Sequence, residues 1–181
     1  MAPAAPEASP LAPGVADSLL LRAKTLVRAG DNAGSLDSLR RARALAKQST
    51  GGGRQALAHY YAALADFRMI NLYPEDDEAK REQVIQDGIG HLKRAVEIDP
   101  QMADAWALLA GCYGRMMGIH PMRGMSLGSK SIEAIKKAKK LAPKNPRVWI
   151  VSGTQDFYTP SMFGGDKEAA LRKFKKAARL A

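Results

Sequence analysis

Cysteine is almost missing: Cys112 is the only one in 181 residues, which excludes an internal disulfide framework and a cysteine-based zinc site. Long apolar runs are missing too, and none approaches the ~20 uninterrupted apolar residues that a helix needs to cross a bilayer. Nothing alternates for long enough to make a strand; residues 148–151 form the one strand-like patch, too short to matter alone. Catalytic signatures are equally absent. There is no HExxH and no GxSxG, and Gly51-Gly52-Gly53-Arg54 lacks the Lys-Ser or Lys-Thr end of a phosphate-binding loop. The three histidines, His59, His91 and His120, lie far apart in sequence and in different helices or loops. The expectation is a chain that is not an enzyme, with no catalytic residue, no metal site and no cofactor.

Acidic residues are scarce in one region only. Residues 1–118 hold 14 Lys+Arg and 14 Asp+Glu, whereas residues 119–181 hold 14 Lys+Arg against only Glu133, Asp156, Asp166 and Glu168. The whole net charge of +10 therefore sits in the last third. Such an asymmetry points to an acidic partner, an anionic surface or nucleic acid. Apolar residues at 46% and charged residues at 25% are ordinary for a globular protein and exclude wholesale disorder.

What is present begins with residues 1–14, rich in Ala and Pro and holding four prolines. Prolines at that density forbid a regular helix and favour a disordered spacer. No positively charged start followed by an apolar stretch occurs, so these residues are not a signal peptide. The composition suits the spacer that follows a removed export signal, which gives a periplasmic or otherwise exported protein; a cytoplasmic tail is the alternative.

From Val15 onward the periodicity is helical. Leu19, Ala23, Leu26 and Val27 make one face of a first helix, with a break expected at Ala29-Gly30-Asp31-Asn32. A second helix over about 33–47 carries Leu36, Leu39, Ala42 and Leu45, and Ser49 to Gly53 breaks it. A third covers 54–73, to Pro74. A fourth starts at the acidic cluster Glu75-Asp76-Asp77-Glu78, where the helix dipole favours negative charge, and stops at Asp99-Pro100.

The chain then repeats itself. Trp106-x2-Leu109-Ala110-x2-Tyr113 makes a first-helix pattern, and Trp149 and Gly153 restart it. The pattern small-x3-bulky-x2-Ala-x4-Pro appears as Ser131, Ile135, Ala138, Pro143 and as Gly88, Leu92, Ala95, Pro100. Ala170, Phe174 and Ala177 give it again, and Ser35, Leu39 and Ala42 form a degenerate first copy. Small residues let paired helices approach, bulky ones fill the space between pairs, and proline ends the second helix. These motifs resemble the tetratricopeptide-repeat (TPR) family over about residues 15–181. The resemblance implies an all-α, right-handed α-solenoid of about four TPR-like helix pairs, at about 15–48, 54–100, 102–143 and 146–181. It departs from the family's 34-residue period, because Ala42, Ala95, Ala138 and Ala177 are spaced 53, 43 and 39 apart. Insertions at 114–128 and 158–166 are expected to project from one edge. Those segments look like ones in uncharacterised exported bacterial TPR proteins, which bring no known activity.

In such repeats the first helices line the concave surface, where ligands and extended peptides bind. Carried onto this chain, the groove residues are Tyr60, Phe67, Arg68, Arg115, Arg147, Thr154, Phe157 and Tyr158. Aromatic and Arg side chains are favoured anchors; the alternative is that Tyr60, Phe67 and Phe157 are inter-repeat core. Arg68 and Arg115 are the better candidates for meeting a carboxylate or a peptide backbone. Lys136, Lys137, Lys139 and Lys140, with Arg172, Lys173, Lys175 and Lys176, flank packing residues and so face outward on the convex side. They offer a surface for an anionic membrane or an acidic protein, or a plain solvated face. The one aromatic residue that interleaves with them, Phe174, is a packing residue, so nucleic acid is not expected. Met116, Met117, Met122 and Met125 beside His120 could hold Cu(I), but packing of the insertion is the simpler reading. Cys112 reads as a small buried apolar residue.

The function these readings support is a non-enzymatic scaffold or assembly subunit that binds a protein or peptide in the groove and at the edge insertions. The alternative is a small-ligand carrier of the cell envelope associated with a transporter, which requires a closed apolar cavity under the insertions. The last helix carries Leu171, Phe174 and Leu180 on an apolar face with no capping helix after it, so either the native chain continues or that end docks onto another chain.

Overall fold

The computed structural model describes residues 13–181, with only the backbone described at Pro13 and Phe163. The spacer expected over residues 1–14 therefore lies largely outside the described residues. Among those described, eight α-helices form: α1 (Pro13–Ala33), α2 (Leu36–Gln48), α3 (Gln55–Met69), α4 (Glu78–Ile98), α5 (Ala103–Ile119), α6 (Gly124–Leu141), α7 (Pro146–Tyr158) and α8 (Lys167–Leu180). No strand occurs among them, and the strand-like patch at 148–151 is part of α7. Short polar side chains start several helices by accepting orphan backbone N–H groups: Ser35 from Ser38, Asp77 from Lys80, Asn145 from Arg147 and Asp166 from Ala169.

Each helix packs on the next to give the pairs α1–α2, α3–α4, α5–α6 and α7–α8. The odd helices also pack on one another in order along the stack, whereas the even ones reach the neighbouring pair through the following odd helix. The odd helices are thus the inner row of an all-α, solenoid-like stack. Its core runs through the pairs, with Leu39, Met69, Ile70, Ile85 and Leu92 fully buried, each worth roughly 1.5–3 kcal/mol of apolar transfer.

Two contacts show the repeat physically. Trp106 donates its indole N–H to the carbonyl oxygen of Pro100 at 3.0 Å, and Trp149 does the same to Pro143 at 2.7 Å. Each tryptophan at the start of a first helix is tied to the proline that ends the preceding second helix. The small positions work as the spacing requires. A Cβ on Gly153 would fall 2.7 Å from the Phe174 ring, and Ser131 is buried with its hydroxyl donated to the Ala110 carbonyl at 2.8 Å.

The structure corrects one boundary. The first helix does not break at Ala29–Asn32 but continues to Ala33, because Gly30 is a close-approach site: a Cβ there would lie 3.0 Å from Leu39 Cγ of α2. The insertion at 114–128 is helical for most of its length. It lengthens α5 and α6 and leaves only His120 and the single 3-10 turn Pro121–Arg123 between them. Proline is confined to that turn, and Gly114, Gly118, Gly124 and Gly128 are carried within the two helices.

Candidate functional site

The inner row brings the predicted groove residues onto neighbouring first helices. Between α1 and α3, Arg68 Nε lies 3.4 Å from Asp31 Oδ2. Between α3 and α5, the Arg115 guanidinium sits 5.6 Å over the Phe67 ring, beside the bare backbone of Gly111. Between α5 and α7, Asp104 is 3.8 Å from Arg147 and accepts from the Asn145 side-chain amide at 3.0 Å. Tyr60 is 7% exposed. Burial pushes its hydroxyl up to about 12, with Asp104 adding to the shift and Arg147 and Arg68 opposing it. It thus stays neutral, wedged in the stack rather than free as an anchor.

Further along α7, Thr154 is exposed and returns its hydroxyl to the Ile150 carbonyl at 3.0 Å. Phe157 and Tyr158 form an edge-to-face pair at 5.1 Å, both exposed, with Lys167 5.8 Å over the Phe157 ring. Arg68 and Arg115 differ in availability. Arg68 is occupied by Asp31, while Arg115 is exposed and has no acidic side chain within ion-pair distance among the described residues.

The basic residues are less uniform than a solvated face. Lys137 lies 4.0 Å over the Trp106 ring, and Trp149 carries two lysines, Lys176 at 3.6 Å and Lys139 at 5.9 Å. Burial lowers the Lys139 pKa, with the Lys173 charge adding to the effect. Lys173 is paired with Asp156, and Arg172 with Asp166 and Glu168. Lys136, Lys140 and Lys175 are exposed and unpaired among the described residues. Tryptophans from adjoining helices thus lie beneath the lysines, although none interleaves with them in sequence.

Packing accounts for only part of the methionine cluster. Met116 is buried and a Cβ on Gly128 would lie 3.6 Å from the Met117 sulfur, but Met122 is 99% and Met125 89% exposed. His120 Nε2 lies 2.7 Å from Glu82 Oε1.

Two groupings have no sequence motif. His59 of α3 and His91 of α4 meet Nδ1 to Nδ1 at 3.0 Å. Deeper in the same pair, Asp66 is completely buried, accepts from Arg43 of α2 at 3.0 Å, and leaves Oδ2 without a partner. Burial pushes the Asp66 carboxyl up to about 7, with Arg43 opposing. Cys112 is buried nearby, its thiol pKa raised by burial. Among the described residues, no three or more His, Cys, Asp or Glu are gathered to hold a metal, and no helix is long and apolar enough to cross a membrane. A cleft of about 460 Å³ opens between residues 52–57 and 98–102. Those segments join one pair to the next, so the cleft lies at the edge opposite the insertions.

No family model and no curated protein matches the sequence. Solved structures do match the fold. The HusA haemophore from Porphyromonas gingivalis is similar over 96% of this chain and 82% of its own, with a TM-score of 0.73 and 18% identity. MamA is similar over 91% of this chain and 84% of its own, with a TM-score of 0.50 and 23% identity. At these identities the likeness is one of fold: helical, TPR-like and solenoid-like.

Proposed function

We propose that the protein is a non-enzymatic, exported scaffold that binds an extended segment of a protein partner along the inner row. The observation that supports this is the order of groups on that row: Arg68, Phe67 with Arg115, then Arg147 and the exposed Phe157–Tyr158 pair. Rings and guanidinium groups alternate along it, and contacts to neighbouring helices already hold most of them. Binding therefore costs little side-chain ordering. Arg115 supplies the exposed cation for a carboxylate or a peptide carbonyl, and Phe157 and Tyr158 supply apolar contact. Selection of peptides from a displayed library on the immobilised protein tests this. The expected result is enrichment of segments pairing acidic with apolar residues, bound at least tenfold more weakly by Arg115→Ala/Phe157→Ala. No enrichment, or binding indifferent to those substitutions, contradicts it.

A second reading is a small-ligand carrier, and its support is the fold likeness to a haemophore across nearly the whole chain. It ranks behind the scaffold because the 460 Å³ cleft lies away from the insertions, where the closed cavity was required. Absorbance titration with haem separates the two: the carrier reading expects saturation at one equivalent, and the scaffold reading expects no saturable spectral change.

A further inference from the structure

The turns that join α5 to α6 and α7 to α8 leave the stack at the same edge, because α5 and α7 occupy equivalent places in successive pairs and pack on each other. At that edge large apolar side chains stand almost free in solvent. Met122 is 99% exposed, Met125 89%, Met162 82% and Tyr158 77%. Apolar tips in such number are not explained by packing, since they cover nothing.

The unpaired charges at the same edge are cationic. Residues 119–132 contain Arg123 and Lys130 and no acidic residue; beside residues 157–165, Asp156 is paired with Lys173, and Asp166 and Glu168 with Arg172, which leaves Lys167 without an acidic partner among the described residues. The edge belongs to the two helix pairs that carry the whole +10. The backbone of the second turn is also held in place. Gly164 has φ +90 and donates its N–H to the Ser161 carbonyl oxygen, and a Cβ on Gly165 would fall 1.7 Å from the Thr159 carbonyl oxygen. Only glycine fits there, so the turn bearing Met162 is tight.

We propose that this edge docks on an anionic lipid bilayer, with Met122, Met125, Tyr158 and Met162 entering the interfacial region and Arg123, Lys130 and Lys167 meeting the headgroups. Protruding, flexible thioethers fit a deformable apolar phase rather than a shaped protein pocket. A tyrosine at the apolar–polar boundary and the unpaired cations Arg123, Lys130 and Lys167 complete the chemistry of such a surface. The acidic cluster Glu75–Glu78 lies at the start of α4, on the second pair. Its negative charge is repelled by an anionic surface, so contact falls on the third and fourth pairs.

The test is co-sedimentation of the full chain with phosphatidylcholine vesicles that contain phosphatidylglycerol, and with vesicles of phosphatidylcholine alone. The expected result is binding to the anionic vesicles that weakens with salt. It should fall about tenfold in Met122→Asp/Met162→Asp and by a similar factor in Arg123→Glu/Lys167→Glu. All four side chains are surface-exposed, and unchanged circular dichroism verifies that the variants fold. Absence of binding to anionic vesicles overturns the proposal, leaving the edge to a protein partner. Binding that survives the methionine substitutions but is lost in Lys136→Glu/Lys140→Glu overturns it too, because adsorption then belongs to the outer face of α6.

Discussion

His59 and His91 face each other Nδ1 to Nδ1 at 3.0 Å across the α3–α4 interface, although 32 residues separate them. One nitrogen donates and the other accepts only while at least one ring is neutral. The surroundings favour neutrality. Burial lowers both pKa values, Arg94 adds to the effect at His59, and His59, Lys47 and Arg43 add to it at His91, which falls to about 4 with Asp87 opposing.

Opposed pH slopes follow. A histidine whose folded pKa lies below its unfolded value contributes stability that is complete above about pH 6.5 and lost as pH falls toward 4. Asp66 has the reverse sign: raised from 3.8 to about 7, it contributes fully below its unfolded pKa and loses that contribution as pH rises through 7. Between about pH 4 and 6.5 the two oppose each other. In His91→Gln, unfolding free energies from urea titrations should fall as pH rises across this range and up to 7, by roughly 2–4 kcal/mol in all. In Asp66→Asn they should instead fall as pH drops. Parallel slopes in the two variants would contradict these assignments.

Two glycines in helices should respond to alanine with opposite signs. Gly90 of α4 has open space where a Cβ would go, so Gly90→Ala should stabilise by about 0.5–1 kcal/mol through helix propensity. Gly153 meets the Phe174 ring, so Gly153→Ala should lose about 1 kcal/mol net, once overpacking of about 1–3 kcal/mol is set against the same propensity gain. Phe174→Leu in that background should recover part of the loss. Urea unfolding followed by circular dichroism reads all three.

Trp149 joins two pairs through Pro143 and lies beneath Lys139 and Lys176. Trp149→Phe removes the N–H donor and weakens the ring's attraction for cations, and should cost about 1–2 kcal/mol. Lys176→Met, which keeps the aliphatic cover, should cost less. Equal losses in the two variants would show that the indole hydrogen bond contributes nothing.

Much of the fold was legible because TPR-like packing is local. Trp106, Leu109, Ala110 and Tyr113 announce a first helix by spacing alone, and Gly88, Leu92 and Ala95 announce a second. Contacts set by register between helices were not legible. The meeting of His59 with His91 depends on how α3 and α4 align across the connection at 70–77, and no pattern within either helix carries that. The same holds for Lys137 on Trp106, whose partners belong to α6 and α5. Arg68 and Arg115 were equivalent in sequence, and only the position of Asp31 on α1 separates them. That the insertion at 114–128 is built mostly from helix was not legible, because its glycines and Pro121 weaken any helical pattern there.

The central claim is that the inner row of odd helices is the binding face. Amide hydrogen exchange on the protein, alone and saturated with a peptide selected on it, tests this most directly. Protection is expected on α3, α5 and α7 around Phe67, Arg115 and Phe157, and is expected to vanish in Arg115→Ala/Phe157→Ala. Protection confined to the outer faces of α6 and α8, or to the cleft at 52–57 and 98–102, would contradict the account.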